Sequence, residues 1–312
     1  MQNETLKVAL AQISSVWLNR EATLDKVQLY MLQAAEKNAG LVVFGEALVP
    51  GYPFWLEHLN GAAFNDPVQK EIFAHYASQA VTIDKGHLNS VCKLAAEKEI
   101  AVYLGVIEKP KERGGHTLYC TLVYIDQNGI IRSAHRKLMP TYEERLVWGT
   151  GDGHGLKTHD LSPFTVGGLN CWENWMPLTR TALYAQGEDL HISVWPGSQR
   201  HTEQLLPVIA REGRSYVMGV SGLFHKKDIP DDFPHASEMR KVTEGYLAKG
   251  GSCLVAPDGS WVVEPFTEQE KLVIAEIEHH KVREERQNFD PVGHYSRPDV
   301  LRLEVNTDRQ KI

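Results

Sequence analysis

Apolar residues along the chain fall into short β-rich runs that alternate with longer stretches of helical period. Val8 to Ile13 reads as a strand, Glu21 to Glu36 as an amphipathic helix, and Leu41 to Phe44 as a strand buried on both faces. A helical pattern returns over Asp84 to Glu99, followed by a strand at Ala101 to Ile107. Leu118 to Ile125 and Ile130 to Ser133 flank Asp126-Gln127-Asn128-Gly129, and the Asn-Gly pair predicts a hairpin because both residues tolerate the positive φ of a tight turn. The second half echoes the first. Phe164 to Leu169, Leu190 to Val194 and Tyr216 to Phe224 read as strands, with helices at Leu178 to Gln186 and Thr202 to Arg214 between them. Cys253 to Ala256 and Trp261 to Val263 then flank Pro257-Asp258-Gly259, a second hairpin signal, and Leu272 to Ile277 closes the sheet.

Each half therefore runs strand, helix, strand, helix, strand and hairpin. That order predicts an α/β fold built from two similar βα halves, each a sheet covered by helices on one face, with the sheets packed together as a four-layer α-β-β-α sandwich. No Ser/Gly-rich or charged linker separates the halves, so they read as one domain over residues 1–288. Gly222 to Gly250, rich in Lys, Asp, Pro and His, reads as a long surface loop, and the polar stretch 289–312 as a tail with little helix signal.

Composition narrows the function mainly by exclusion. With 33 basic against 40 acidic residues the net charge is −7, which leaves no footprint for nucleic acid and no polybasic membrane anchor. The expected partner is small or neutral. No run approaches the roughly 18 apolar residues of a membrane span, and the opening MQNETLKVALAQI lacks the charged and apolar regions of a secretory leader. Cys92, Cys120, Cys171 and Cys253 are scattered, with no CxxC pair and no zinc spacing, which suggests free thiols in a reducing cytoplasm and no metal. Cys92 in a helical pattern and Cys120 and Cys253 on strands read as core. His279-His280 lacks HExxH spacing. Gly149 to Gly155 misses the GxGxxG register and reads as a flexible pocket-side loop rather than a phosphate cradle.

Ligands of α/β sheets gather outside the carboxyl ends of strands, and three reactive side chains follow apolar runs there: Glu46, Lys137 and Cys171. Singly each is unremarkable, since a cysteine after a strand is usually a small buried hydrophobe. Together they suffice for covalent chemistry without a cofactor. A thiol near pKa 8.5 needs a base to raise its reactive fraction. A partly desolvated glutamate supplies that base, and a lysine stabilises negative charge growing on the substrate. Trp172 and Tyr52 adjoin these residues, and Tyr142, Trp195 and Trp55 are further aromatic candidates for a pocket wall.

The segments around the trio resemble the nitrilase branch of the carbon–nitrogen hydrolase superfamily. The resemblance rests on Phe44-Gly45-Glu46-Ala47 with Pro50-Gly51-Tyr52-Pro53, on His135-Arg136-Lys137-Leu138-Met139-Pro140-Thr141, and on Asn170-Cys171-Trp172-Glu173-Asn174. It continues through Glu144-Arg145, Trp148-Gly149, Gly151-Asp152-Gly153 and Gly293-His294-Tyr295-Ser296-Arg297-Pro298-Asp299-Val300. The resemblance implies a Glu46, Lys137, Cys171 triad with Glu144 as a second pocket glutamate, acting on a small organic nitrile. It also implies homo-oligomers, from dimer to spiral, with the 289–312 tail at a subunit interface. An amidase or carbamoylase with the same triad, a cyanide-hydrolysing relative and a catalytically silent binding protein are the competing readings; nitrile hydration with amide as a major product is a further one.

Overall fold

The structure, a computed structural model, describes residues 4–242 and 244–311. In the first half the strands are β1 (Thr5–Gln12), β2 (Leu41–Phe44), β3 (Ala101–Glu108), β4 (Tyr119–Ile125) and β5 (Ile131–Arg136). The helices between them are α1 (Arg20–Glu36), α2 (Trp55–His58), α3 (Pro67–Gln79) and α4 (Asn89–Lys98). The second half carries β6 (His159–Leu161), β7 (Phe164–Asn170), α5 (Pro177–Tyr184), β8 (Leu190–Trp195), α6 (Gln199–Gly213), β9 (Tyr216–Ser221), β10 (Leu223–His225), α7 (Ala236–Val242), β11 (Tyr246–Val255) and β12 (Trp261–Thr267). β13 (Lys271–Glu278) and α8 (His279–Arg286) follow.

Side-chain parity along the strands builds the layers. On β2, Leu41 and Val43 face the other sheet while Val42 and Phe44 face helices, so a four-residue strand is apolar throughout. Leu6, Val8, Leu10, Tyr103 and Leu122 meet Phe164, Val166, Ile192, Met218 and Leu254 in the layer between the sheets. Leu24, Val27, Met31 and Ala34 form the buried stripe of α1 and, with Val91 and Ala95 of α4, cover the first sheet. Leu205, Leu206, Ile209 and Ala210 of α6 cover Val217, Cys253 and Val255 of the second. The result is the expected α-β-β-α sandwich. β1, β2 and β3 are parallel and pass into an antiparallel β4–β5 hairpin; β7, β8 and β9 repeat this, passing to β11 and β12.

Several expectations change. The last strand closes a sheet, but the first one: β13 lies antiparallel to β1 from Thr5↔Glu278 to Gln12↔Lys271 and covers that edge. Periodicity reveals a strand and not its partner. The expected strand Tyr216 to Phe224 is broken at Gly222, whose N–H donates to Trp195 O at 2.8 Å, so β10 leaves the line of β9. The expected helix over Asp84 to Glu99 begins only at Asn89, after a 3-10 turn at Ile83–Lys85 that ends in the left-handed Gly86. α2 and α3 were not anticipated at all. The presumed surface loop 222–250 holds β10, α7 and the start of β11, and Phe224, Phe233 and Met239 bury themselves with Trp17 and Trp55. Its apolar residues are spaced irregularly among Lys, Asp and Pro, which hides them from any period. Cys92 is half-buried on α4 rather than core. The tail residues 289–311 form no helix. Arg309 reaches Asp152 at 3.1 Å and the carbonyl of Ala134 at 2.8 Å, and Gln310 N–H donates to Asp152 at 2.9 Å.

The end of β2 has little room. A Cβ on Gly105 of β3 would stand 2.2 Å from Gly45 O and 2.7 Å from Ala47 N. Gly105→Ala is expected to lower stability by about 1–3 kcal/mol, read as a lower urea midpoint at unchanged m-value. A midpoint equal to that of the parent protein would show that the backbone around Glu46 yields freely.

Candidate active site

Three strand ends and one turn deliver the functional side chains. Glu46 lies two residues past β2, where its N–H donates to Trp195 O at 3.3 Å and ties the two sheets together. Lys137 directly follows β5; its N–H continues the ladder to Cys120 O at 2.7 Å, and its carbonyl accepts from Gly151 N at 2.8 Å. Cys171 is the first residue after β7 and opens a 3-10 turn, Cys171–Trp175. Its φ of +46° is left-handed, a conformation that costs a non-glycine residue on the order of 1–3 kcal/mol and marks candidate functional positions. The turn is held by reciprocal Asn170–Glu173 capping and by Asn174 Nδ2 donating to Cys171 O at 2.8 Å. Glu144 sits in a second 3-10 turn, Tyr142–Leu146, capped by Thr141.

These residues converge on one buried ammonium. Lys137 Nζ is 2.8 Å from Glu46 Oε1 and 2.7 Å from Glu144 Oε2, and none of the three side chains is more than 1% exposed. Glu144 also accepts from Tyr52 OH at 2.9 Å and Thr141 N at 2.6 Å. Two carboxylates thus share one cation out of water, and the imbalance shows in the protonation of Glu46. Burial lifts the Glu46 carboxyl; Lys137 opposes this and Glu144 adds to it, leaving Glu46 at about 7. Burial alone would pull Lys137 down, but Glu46, Cys171 and Glu144 outweigh it and hold the ammonium charged above its usual range. Burial, then the Glu46 charge, push the Cys171 thiol well up, against the pull of Lys137 and the Trp172 N–H. Cys171 therefore rests as a thiol, in keeping with the need for a base read from the sequence, and its proton must leave as sulfur reacts.

Two contributions escaped the sequence reading. Cys120, read as core, is buried, yet its Sγ lies 3.4 Å from Glu46 Oε1. Counting along the hairpin from Asn128-Gly129 would have found it, since Thr121↔Arg136 pairing sets Cys120 beside Lys137. Glu173 accepts from Asn170 N at 2.9 Å, Leu138 N at 2.7 Å and His135 Nε2 at 3.1 Å. Burial would raise its carboxyl, but His135 and those two backbone donors hold it below the ordinary value. It fastens the Lys137 strand end to the Cys171 turn.

A cavity of about 340 Å³ opens onto Cys171 and Glu144, walled by Tyr52, Phe54, Trp172, Trp195 and His201. Trp195 stacks on His201 at 5.6 Å and Trp172 meets the same ring edge-on at 5.6 Å. Tyr142 is 83% exposed and stands outside this lining, while Glu144, two positions on in the same 3-10 turn, is buried against it. Trp55 packs instead on Tyr76 and Trp17. Residues 149–155, expected at the pocket side, do not line the cavity; Gly151 and Gly155 lie tight against Arg136 and His135, and Asp152 anchors the tail. Among the described residues no cluster of three or more His, Cys, Asp or Glu could hold a metal, and no helix is long and apolar enough to cross a membrane.

Comparison with known proteins agrees with this geometry. Residues 7–287 match the carbon–nitrogen hydrolase family model. Nitrilase 2 of Arabidopsis thaliana is 34% identical over 309 residues, 98% of this chain and 90% of the relative. A bifunctional nitrilase/nitrile hydratase, NIT4B, of Nicotiana tabacum is 33% identical, covering 96% of this chain and 86% of its own. Among solved structures, a carbon-nitrogen hydrolase from Helicobacter pylori G27 superposes with a TM-score of 0.71 at 18% identity, over 95% of this chain and 96% of that one. An amidase from Nesterenkonia sp. gives 0.66 at 18% identity, over 92% and 96%; at such identity these two speak for the fold alone. The chain belongs to the nitrilase branch of the carbon–nitrogen hydrolase superfamily, hydrolases that act on the carbon–nitrogen bonds of nitriles and amides through a buried cysteine.

Proposed function

We propose that this chain is a nitrilase that converts a small organic nitrile to its carboxylic acid and ammonia, with Cys171 as nucleophile, Glu46 as proton carrier, Lys137 as electrostatic clamp and Glu144 as the group that holds Lys137. The observation that carries the reading is the Lys137 ammonium fixed between Glu46 and Glu144 beside a left-handed, buried Cys171, with the cysteine and Glu144 open to one aromatic-walled cavity. The choice of nitrile over amide follows the named relatives, which match nearly the whole chain. Tyr52, Trp172 and Trp195 are assigned to the substrate walls.

In the first step Glu46 takes the Sγ proton as sulfur attacks the nitrile carbon, and returns it to the nitrile nitrogen to form a thioimidate. Lys137 and the Trp172 N–H stabilise the charge growing at the reacting centre. Water adds to the thioimidate carbon, giving its proton to Glu46. The resulting tetrahedral species expels ammonia, which leaves with that proton, and a thioester remains. A second water then releases the acid and restores the Cys171 thiol. If sulfur leaves the tetrahedral species in place of ammonia, the product is the amide. The tobacco relative has both activities in its name, and the acid-to-amide ratio reports this partition.

Oligomerisation belongs to the same proposal. The tail exposes Tyr295, Val300, Leu301, Leu303 and Val305, an apolar series suited to a subunit contact.

Three measurements test these statements. Ammonia release from a panel of nitriles and matching amides should occur with nitriles and fall by more than about a thousandfold in Cys171→Ala; activity confined to amides would move the chain to an amidase role, and full activity in the variant would remove the nucleophile. Because burial raises the Glu46 carboxyl, its base form fills only above about 7, so kcat/KM should decline as pH falls through that value; a rate flat from pH 8 to 5 contradicts Glu46 as the base. Light scattering should return a multiple of 35.1 kDa, reduced on deletion of residues 289–312; a monomeric full-length chain refutes the interface.

A further inference from the structure

Position 120 pairs with position 137 across the β4–β5 hairpin, since Lys137 N–H donates to Cys120 O. Residues paired across strands project on the same face. The Cys120 thiol and the Lys137 ammonium therefore arrive together at Glu46, and both meet the same oxygen: Nζ at 2.8 Å and Sγ at 3.4 Å from Oε1. The other carboxylate oxygen, Oε2, is buried and has no protein partner. Sγ also stands 4.0 Å from Oδ1 of Asn170, the residue that precedes the nucleophile. The carboxylate is thus gripped on one side only.

We propose that Cys120 is a positioning residue for the base: its thiol, donating to Oε1 alongside Lys137, fixes the rotation of the Glu46 carboxylate so that Oε2 is left as the atom that carries the proton. This rests on the reading of Glu46 as base. A carboxylate oxygen that accepts two donors is the poorer proton acceptor, so the free one does the work. The S–H donor has a second effect. A hydrogen bond to the charged carboxylate favours that form, opposing the burial and the Glu144 charge that raise Glu46. The groups that face Glu46 are Lys137 from the end of β5, Glu144 from its turn, Cys120 from β4, Cys171 from the end of β7, Tyr52 from the loop before α2 and Tyr76 from α3. Cys120 is, among the described residues, the uncharged side chain that donates to the Glu46 carboxylate. A core side chain of the same size would pack equally well against Ile107, Leu118 and Trp148, which makes the two roles separable.

The test uses the full chain with Cys120→Ala, Cys120→Val and Cys120→Ser. The rate at which iodoacetamide alkylates Cys171 is followed from pH 5 to 9 by mass spectrometry of the Cys171 peptide, which needs no substrate. Losing the donor raises Glu46, so the acidic limb in the Ala and Val variants should move up by about 0.5–1 pH unit, a loss of roughly three- to tenfold in rate below the limb. The Ser variant, with an O–H donor, should restore the parent limb or lie below it. Limbs that coincide in all four proteins, with only thermal midpoints changed, would reduce Cys120 to core filling. A Ser limb that follows Ala would also overturn the proposal. A parent protein with no acidic limb would remove Glu46 as the base of Cys171, and this role of Cys120 with it; an intact limb in a chain inactive on every nitrile and amide would keep this proposal and fault only the assigned reaction.

Discussion

A single ammonium buried between two carboxylates is what the arrangement around it answers to. Taking Lys137 out of water is unfavourable, and Glu46 and Glu144 compensate for it at hydrogen-bond distance on either side. Removing one partner from such a buried pair typically costs about 3–5 kcal/mol, so each member constrains the other two. The excess of one carboxylate over the available cation is the chemically useful part. It keeps one glutamate reluctant to ionise, and the one with a free oxygen, Glu46, sits at about 7, where it can both take and return a proton. Glu144, with Tyr52, Thr141 and Lys137 all donating to it, is committed as an acceptor.

The same economy holds Cys171, the proposed nucleophile. Cys171 occupies a backbone conformation unfavourable for a side chain, and the turn persists because several donors and acceptors depend on it. Glu173 binds the backbone on both sides of the cleft, and Asn174 is itself oriented by His191, whose other nitrogen faces Glu188. A chain of buried polar contacts thus runs from the second sheet to the Cys171 carbonyl. Such networks are stabilising only when satisfied, and here nearly every group in it has a partner.

Much of this was legible in the residues. Continuous apolar runs ending in Glu46 and Cys171 identify strand ends, because a strand buried on both faces is mostly apolar and charged groups concentrate where it leaves the sheet. The Asn128-Gly129 turn fixes the β4–β5 register and with it the position of Lys137. What local pattern cannot contain is non-local pairing. β13 reads as a strand, yet its partner is at the other end of the chain. Phe224, Phe233 and Met239 look like isolated apolar residues until Trp17 and Trp55 are brought to them. Tyr142 and Glu144 differ by two positions in a 3-10 turn, and only the capping geometry decides which enters the site. Cys120 was hidden for another reason: a thiol reads as a hydrophobe unless its neighbour is known.

The pairing of β1 with β13 bears on how the chain is made. Synthesis proceeds from the N-terminus, and helices and hairpins of the first half can assemble while the rest is still on the ribosome. One edge of that first sheet nevertheless stays open until Lys271–Glu278 has emerged, with the backbone groups of Leu6, Val8 and Leu10 unpaired on that side. The nascent first half is therefore a templating surface for any extended segment in its vicinity. β13 is translated after the other strands of its sheet and acts as the latch, so termination before residue 271 would leave not a shorter version of the same fold but a sheet with an adhesive margin.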